Sequence, residues 1–481
     1  MDTIFNLINS VKRKNLYSVI NTTLIANPYV TDFPKEYFEG KKRDWTIFQF
    51  LKSASIFYLK TYIKLSIFTI QKMLFSMVWR KRPEIENTII DTFLLSNRVL
   101  EHGKYEDSYF QGLYAVLEKR NIRYSYLLRI FGLKCNPLKF IKLLQVLKRE
   151  KKSFIFEYQL VSYFDILKIY FHIFLYPFQT LTLLQKDKLL EKGNLFNFHL
   201  IEDISKQDLL AWTRYFVGRK LAQFPNIEKI ISWSEFQVIE RSFNFGYRTN
   251  GGSGKIFGSQ LYISYPTYFN SFVFDIDYLH CSSPHRVLVN GKYYIRKSEN
   301  NLYKLGVSLR YREVFQFRKD NRERKDILIL APYFRDEVEN IVSLCEDIPT
   351  LKIKLHPTQQ PNSFQFPKNI SLVSGNLYDL FQTTTIVITT ESGTAVEAVA
   401  VGVSVVIVAS KTNLTSNPLI DYGKGEIWET VSEKDEVMEM VEKLSKFREE
   451  NPERILEIAE YYKNNFFIEP TEENIIRAFE L

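Results

Sequence analysis

Lys354-Leu355-His356-Pro357 closes one apolar β-run, and Thr389-Thr390-Glu391-Ser392-Gly393-Thr394-Ala395-Val396-Glu397-Ala398 leads from another into a helix. An imidazole at a strand end, fixed in a loop by the following Pro357, can donate to a phosphate oxygen in either protonation state, and Lys354 adds a nearby positive charge. Ser392, Gly393 and Thr394 bring free backbone N–H groups, an N-cap hydroxyl and a residue without Cβ to one point, a combination that suits an anion. Glu397, one turn further on, is placed to bond ribose hydroxyls. Taken singly, the first segment is a loop histidine and the second a helix cap. At two strand ends of one parallel sheet, where such sheets bind ligands, they read together as a nucleotide site.

An enzyme acting at such a site also needs a group that can take up a proton. Glu235, just past the apolar run 229–232, is the first candidate general base, and Asp107, at the start of a helical pattern after the run 87–95, is the second. Asp275 and Asp277 come third, although a solvated loop explains them equally well. Asp275-Ile276-Asp277 is also the sole Asp-x-Asp pair, and it lies in an aromatic loop segment that gives no support to a metal-dependent site. Glu240 and Arg241 read as a structural ion pair. The chain has no G-x-G-x-x-G, no Walker A sequence, no His-Glu-x-x-His and no Gly-x-Ser-x-Gly.

The elements that must carry these residues alternate. Strand patterns at 87–95, 124–131 and 153–158 are separated by helical ones, including 108–119. Helices at 207–224 and 236–247 flank the run 229–232, and a strand at 255–263 follows the loop Asn250-Gly251-Gly252-Ser253-Gly254. A turn at Asn290-Gly291 is flanked by 287–288 and 293–295. The charged stretch 318–325 is the natural linker. Beyond it come strands at 326–331, 351–355, 370–373, 385–389 and 404–408, with helices at 336–345, 377–382, 394–401, 432–447, 452–466 and 472–480, the last able to cross back onto the first unit. The expected architecture is α/β with two Rossmann-like domains across a cleft: a basic helical segment at 1–83, a first domain at 84–317, the linker, and a nucleotide-binding domain at 326–481.

Composition is globular, with 45% hydrophobic and 25% charged residues over 481 positions. Cys135, Cys281 and Cys345 have no C-x-x-C spacing, so neither a disulfide framework nor a cysteine metal site is implied. The first fourteen residues lack the pattern of a secretory signal, and the apolar run 169–185 is shorter than a bilayer span and interrupted by Pro177. A cytoplasmic protein is expected, peripheral on an inner membrane if the basic segment docks there. Residues 1–83 hold fourteen Lys or Arg against five Asp or Glu, a surplus equal to the +9 of the whole chain. Lys60, Lys64 and Lys72 fall near one side of a helix spanning 46–79, and such a basic face suits anionic lipid, with snorkelling lysines on a core helix as the plain alternative. No nucleic-acid motif accompanies the charge.

The stretch 326–444, with Lys-Leu-His-Pro and Thr-Glu-Ser-Gly-Thr-Ala-Val-Glu-Ala, resembles the nucleotide-binding half of GT-B glycosyltransferases. It is most similar to bacterial surface-polysaccharide enzymes that transfer Kdo, sialic acid or polyol phosphate. The resemblance implies that His356, Ser392 and Thr394 contact the donor's phosphate and that Glu397 contacts its ribose. It implies a nucleotide-activated sugar and a glycan or lipid-linked acceptor as partners, no cofactor, and metal-independent transfer. Trp233-Ser234-Glu235 with Arg241 resembles a Trp/Tyr-Glu…Arg element found before the linker in surface-carbohydrate proteins. The acidic Asp/Glu-Asp/Glu-Gly motif of cytidine-linked sialyltransferases is missing. A sugar-nucleotide 2-epimerase of the same fold and a non-catalytic polysaccharide-assembly scaffold are the alternatives.

Overall fold

Short runs of β-branched and aliphatic residues frame the molecule, a computed structural model in which residues 1–133, 136–185 and 193–481 are described; Cys135 lies outside them. Thr88–Leu95, Tyr124–Phe131, Phe154–Phe156, Lys229–Trp233, Lys255–Ser259, Arg286–Val289 and Tyr303–Leu305 are β1 to β7, hydrogen-bonded in the order β3-β2-β1-β4-β5-β6-β7. Asp326–Leu330, Leu351–Lys354, Ile370–Leu372, Thr384–Thr389, Ser404–Val408 and Trp428–Val431 are β8 to β13, in the order β10-β9-β8-β11-β12-β13. Every pairing is parallel. Both sheets reverse their winding once, between β1 and β4 and between β8 and β11, and a crevice opens at such a switch point outside the strands' carboxyl ends.

Burial on both faces explains why these strands are apolar almost throughout. Along β11, Ile386 and Ile388 pack with Val338, Ile341 and Val406 on one face, while Val387 packs with Ala395, Val396 and Val399 on the other. The second of these cores runs on without a break into the first domain through Phe236, Ile263, Val287 and Val289. Arg324, in the charged linker, donates to the carbonyls of Gly402 (2.6 Å) and Val401 (3.1 Å). The terminal helix Glu472–Phe479 lies on the first domain, with Ile475, Ala478 and Phe479 buried against Leu113, Val116 and Leu117.

Several expected elements differ. The helix read at 108–119 is Leu113–Lys119, because the Asp107 carboxylate accepts from the backbone N–H groups of Tyr109 (2.7 Å) and Phe110 (3.4 Å) and holds those residues in a turn. The strand read at 153–158 stops at Phe156, whose N–H is met by the Gln159 side chain (2.9 Å), and a short helix follows. The strand read at 255–263 ends at Ser259. Past Asn290-Gly291 the residues read as 293–295 fall in a short helical turn, Lys292–Tyr294, β7 comes later and parallel to β6, and a Cβ on Gly291 would stand 2.3 Å from the backbone carbon of Phe466.

The basic segment is also built differently. The helix Ile47–Val78 sinks Phe50, Phe57, Leu65 and Phe68 into the first domain's core. Its lysines do not form an outward basic face. Lys60 donates to the Ser205 carbonyl (2.6 Å), Lys64 pairs with Asp208, and Lys72 is buried on the Tyr158 carbonyl (2.5 Å). Lys72 lies on the helix's inward side, with Lys60 half-buried and Lys64 exposed at its edge, and neighbouring carbonyls and a carboxylate supply their partners.

Candidate functional site

The carboxyl ends of the two sheets carry Glu235 in the first domain and His356, Ser392 and Glu397 in the second, and Arg310, which no motif marks, lies near them. Trp233 ends β4, and Glu235 and Phe236 follow it. Phe236 is fully buried and takes φ +57°, a left-handed conformation costly for a bulky side chain. This turn leaves Glu235 partly accessible at the strand end. Burial pushes the Glu235 carboxyl up to about 7; the Glu240 charge adds to this, while Arg310, Arg129 and the Gln237 amide (2.6 Å) pull down. A base with that value is half ionised near neutrality.

Behind Glu235 lies a buried ionic network. Arg129 pairs with Glu240 and donates to the Trp233 carbonyl (3.0 Å), and Arg214 pairs with Asp91 (2.6 Å), which also accepts from Ser232 (2.8 Å). Glu240 and Arg241 are therefore not partners of each other. Arg241 pairs with Asp277 (3.0 Å), as does Lys12 (2.8 Å), and burial's upward push on that carboxyl is overcome by the two cations, which hold it at about 2. Asp275 accepts from Ser298 (2.8 Å) and from the N–H groups of Glu299 and Asn300 (both 3.0 Å). Both aspartates are engaged by neighbouring donors. Asp107 is engaged too, Tyr114 joining Tyr109 and Phe110 as donors, and burial pushes its carboxyl up against their pull.

In the second domain, His356 stands in the loop after β9, half-buried, with the Tyr333 ring 5.3 Å away edge-on. The Thr358 N–H donates to Nδ1 (3.3 Å), and the Thr358 hydroxyl lies 2.7 Å from the same atom. This network assigns the proton to Nε2, leaving it a donor. Burial first, and the Arg310 charge second, lower the imidazole's pKa, so it donates while neutral. Pro357 is exposed beside it. Lys354 turns aside and donates to the Gly375 carbonyl (2.7 Å).

Glu391 follows β11 with φ +51° and is held at about 7 by burial and the Glu337 charge. Thr394–Ala400 is the helix that follows. The Ser392 hydroxyl accepts from the Thr394 N–H (3.3 Å), and Tyr265 of the first domain donates to the Glu391 carbonyl (3.1 Å). A Cβ on Gly393 would lie 2.8 Å from Cβ of Ile263. The close approach that needs this glycine in the structure is domain against domain. Glu397 accepts from the Tyr378 hydroxyl (2.5 Å); burial raises its carboxyl to about 7 against the downward pull of Tyr378 and Arg310.

Arg310, in the short turn Leu309–Tyr311, connects the two halves of the site. Its charge acts on Glu235 of the first domain and on His356 and Glu397 of the second, and its guanidinium lies 5.7 Å from the Trp233 ring centroid. Arg310 is exposed as a residue, and among the described residues its guanidinium makes no hydrogen bond or ion pair. Tyr29, from the N-terminal segment, also stands between the domains, edge-on to Tyr268 (5.1 Å) and stacked on Phe334 (6.4 Å). Neither residue belongs to any motif, and both reach the cleft through irregular backbone.

Two doubly wound parallel sheets joined by a short linker, with a terminal helix returning to the first, define a known plan. The architecture is GT-B. No family model matches the chain, and no curated protein matches it. Solved structures similar to it include the UDP-GlcNAc 2-epimerase from Neisseria meningitidis bound to UDP-GlcNAc (10% identical, 81% of this chain and 99% of that one, TM-score 0.43). The UDP-GlcNAc 2-epimerase from Methanocaldococcus jannaschii is similar too (11% identical, 81% and 98%, TM-score 0.43), as is the wall teichoic acid polymerase TagF (10% identical, 91% and 97%, TM-score 0.39). The architecture follows from the chain's own strand order and its returning helix.

Proposed function

We propose that this GT-B chain transfers a sugar, without a metal, from a nucleotide-activated donor to a hydroxyl of a surface-polysaccharide or lipid-linked glycan. The single observation that carries the reading is Arg310, an exposed residue whose guanidinium, without an ion pair among the described residues, acts on Glu235, His356 and Glu397 from both domains. Arginine in such a place suits the forked oxygens of a phosphate. The phosphate would sit between Arg310 and the Nε2–H of His356, with the Ser392 and Thr394 hydroxyls at the neighbouring strand end and Glu397 on the ribose. As the acceptor oxygen bonds to the anomeric carbon, Glu235 takes its proton. The bond from that carbon to the phosphate breaks, and the nucleotide departs with the electron pair, stabilised by Arg310 and His356.

One observation favours a second reading. Glu235 and Glu391 both have values of about 7 and both act on Tyr29 between the domains, so two proton-exchanging carboxyls share the cleft, as an epimerase acting on the donor alone would need. Incubation with sugar nucleotide and no acceptor separates the two: an epimerised product would favour the second reading and unchanged donor the first.

The nucleotide site is tested by thermal shift with UDP, CDP, GDP and CMP on the full chain and on Arg310→Ala. One nucleotide should raise the melting temperature of the native chain, by about 2.7 kcal/mol of stabilisation at a hundred times its Kd. The shift should vanish in Arg310→Ala, which keeps every hydrogen bond of the fold. Equal shifts in both proteins, or none in either, would remove the basis of the proposal.

A further inference from the structure

Far from the strand ends, the first domain presents a surface that the proposed chemistry does not use. The helix Ile47–Val78 is apolar on two opposite sides. One side is the buried set Phe50, Phe57, Leu65 and Phe68; the other holds Phe48, Leu59, Ile63, Ile70 and Met77, whose spacings of four, seven and eleven residues keep them within one narrow arc. The outer set is open to solvent: Phe48 is 74% exposed and Leu59 68%.

The helix Tyr163–Leu181 runs antiparallel beside it. Phe50 meets Phe178 (6.2 Å), Tyr58 meets Phe174 (6.5 Å) and Tyr62 stacks on Tyr170 (5.1 Å). It adds a second outward stripe of Phe164, Leu167, Phe171, Phe174 and Phe178, with Phe164 64% and Phe171 63% exposed. The Tyr58 hydroxyl donates to the Phe174 carbonyl (2.8 Å), so its polar end has a partner within the protein. A helix of 32 residues is about 48 Å long, so the joint face exceeds the apolar patch of a few hundred Å² usual on a monomer.

Charge indicates what covers this face. The long helix contains no Asp or Glu, and its neighbour has one, Asp165, which is bonded to the Ser162 N–H and hydroxyl. Lys52 is exposed on the apolar side, Lys168 lies over the Phe164 ring (4.4 Å), and the long helix is flanked by 41–43 and 80–82, all exposed; Lys41, Arg43 and Lys81 pair with Glu39, Glu36 and Glu84, whereas Arg80 and Arg82 have no ion pair among the described residues. Protein interfaces deplete lysine at their apolar cores and balance charge at their rims. An apolar face with basic ends and almost no acid instead matches an anionic bilayer, where side chains enter the acyl boundary and lysines meet headgroups. Among the described residues no helix is long and apolar enough to cross a membrane, and the inner side of this one is fixed in the core.

We infer that the paired outer faces of Ile47–Val78 and Tyr163–Leu181 lie flat in the surface of an anionic lipid bilayer. The partner is the lipid itself, held by apolar insertion with basic residues on its headgroups. The inference goes beyond the proposed transfer and does not depend on it, because the test contains no donor or acceptor.

The full chain is floated with vesicles of phosphatidylcholine containing phosphatidylglycerol, and with vesicles of phosphatidylcholine alone. Flotation with the anionic vesicles is expected, with weaker binding to the neutral ones. The double variant Leu59→Glu with Phe171→Glu should bind anionic vesicles at least about tenfold more weakly, since a charge in the apolar layer costs more than a tenfold factor. Its melting temperature should match the native chain's, because both side chains are exposed. Arg80→Glu with Arg82→Glu should weaken anionic binding and leave neutral binding unchanged. The inference is overturned if the native chain stays unbound, or if the Leu59/Phe171 variant floats equally well. It is also overturned if light scattering without lipid shows a dimer that this variant disperses, which would assign the face to a second copy of the chain.

Discussion

Replacing Glu235 by glutamine removes one charge from the cleft and keeps an acceptor for the Gln237 amide, so its effects can be worked out from the carboxyl's environment. Burial and the Glu240 charge raise the folded-state value from 4.5 to about 7. The fold therefore favours the protonated form. Stability linked to this group is fully present below about 4.5 and is lost as pH rises through about 7. A shift of roughly two and a half units, at about 1.36 kcal/mol each, bounds the penalty of ionised Glu235 at about 3 kcal/mol. Glu235→Gln should consequently be more stable than the native chain at pH 8, by up to that amount, and no more stable at pH 4. Thermal melting at the two pH values reads this difference without substrate. The same group sets the rate: kcat/KM of the native chain should rise about tenfold per pH unit below 7 and level off above it, and the variant should lose about 10² to 10⁴ in kcat. A melting difference that is equal at pH 4 and pH 8 would refute the buried-carboxyl account. A variant with nearly native turnover would refute the role of base.

Two further substitutions probe the positioning of the site. Asp107→Ala removes the acceptor of the Tyr109, Phe110 and Tyr114 hydrogen bonds and should destabilise the first domain by about 1–3 kcal/mol in denaturant titration, while the pH–rate profile of the folded enzyme keeps its shape. A profile that loses its limb near 7 would mark Asp107 as the base instead. Gly393→Ala places a Cβ 2.8 Å from that of Ile263, across the domain contact, and should lower stability by about 1–3 kcal/mol as judged by thermal melting; an unchanged melting temperature would show that the domains do not meet there.

How much of this was legible beforehand depends on the kind of backbone involved. Parallel strands buried on both faces must be apolar runs, so β1, β2, β4, β11 and β12 announce themselves within a residue or so, and with them the strand ends that carry Glu235, His356 and Glu397. Where a side chain competes for the backbone, the reading failed. The carboxylate of Asp107 held a turn inside a helical pattern, and the Gln159 side chain ended β3 early.

Local sequence alone determined the alternation of strands and helices, the identity of the strand-end residues and the basic surplus of residues 1–83, because each is a property of neighbours along the chain. Tertiary structure decided the rest. It selected which of two apolar sides of the Ile47–Val78 helix faces inward, and so turned Lys60, Lys64 and Lys72 toward protein partners. It brought Arg310 and Tyr29 between the sheets, assigned Arg129 to Glu240 and Arg241 to Asp277, and raised Glu235, Glu391 and Glu397 to about 7 by burial. The physical reason is common to all four. Helical periodicity and residue type fix a side chain's direction relative to its own backbone, whereas burial, ion pairing and pKa depend on what another segment, often more than a hundred residues away, places against it.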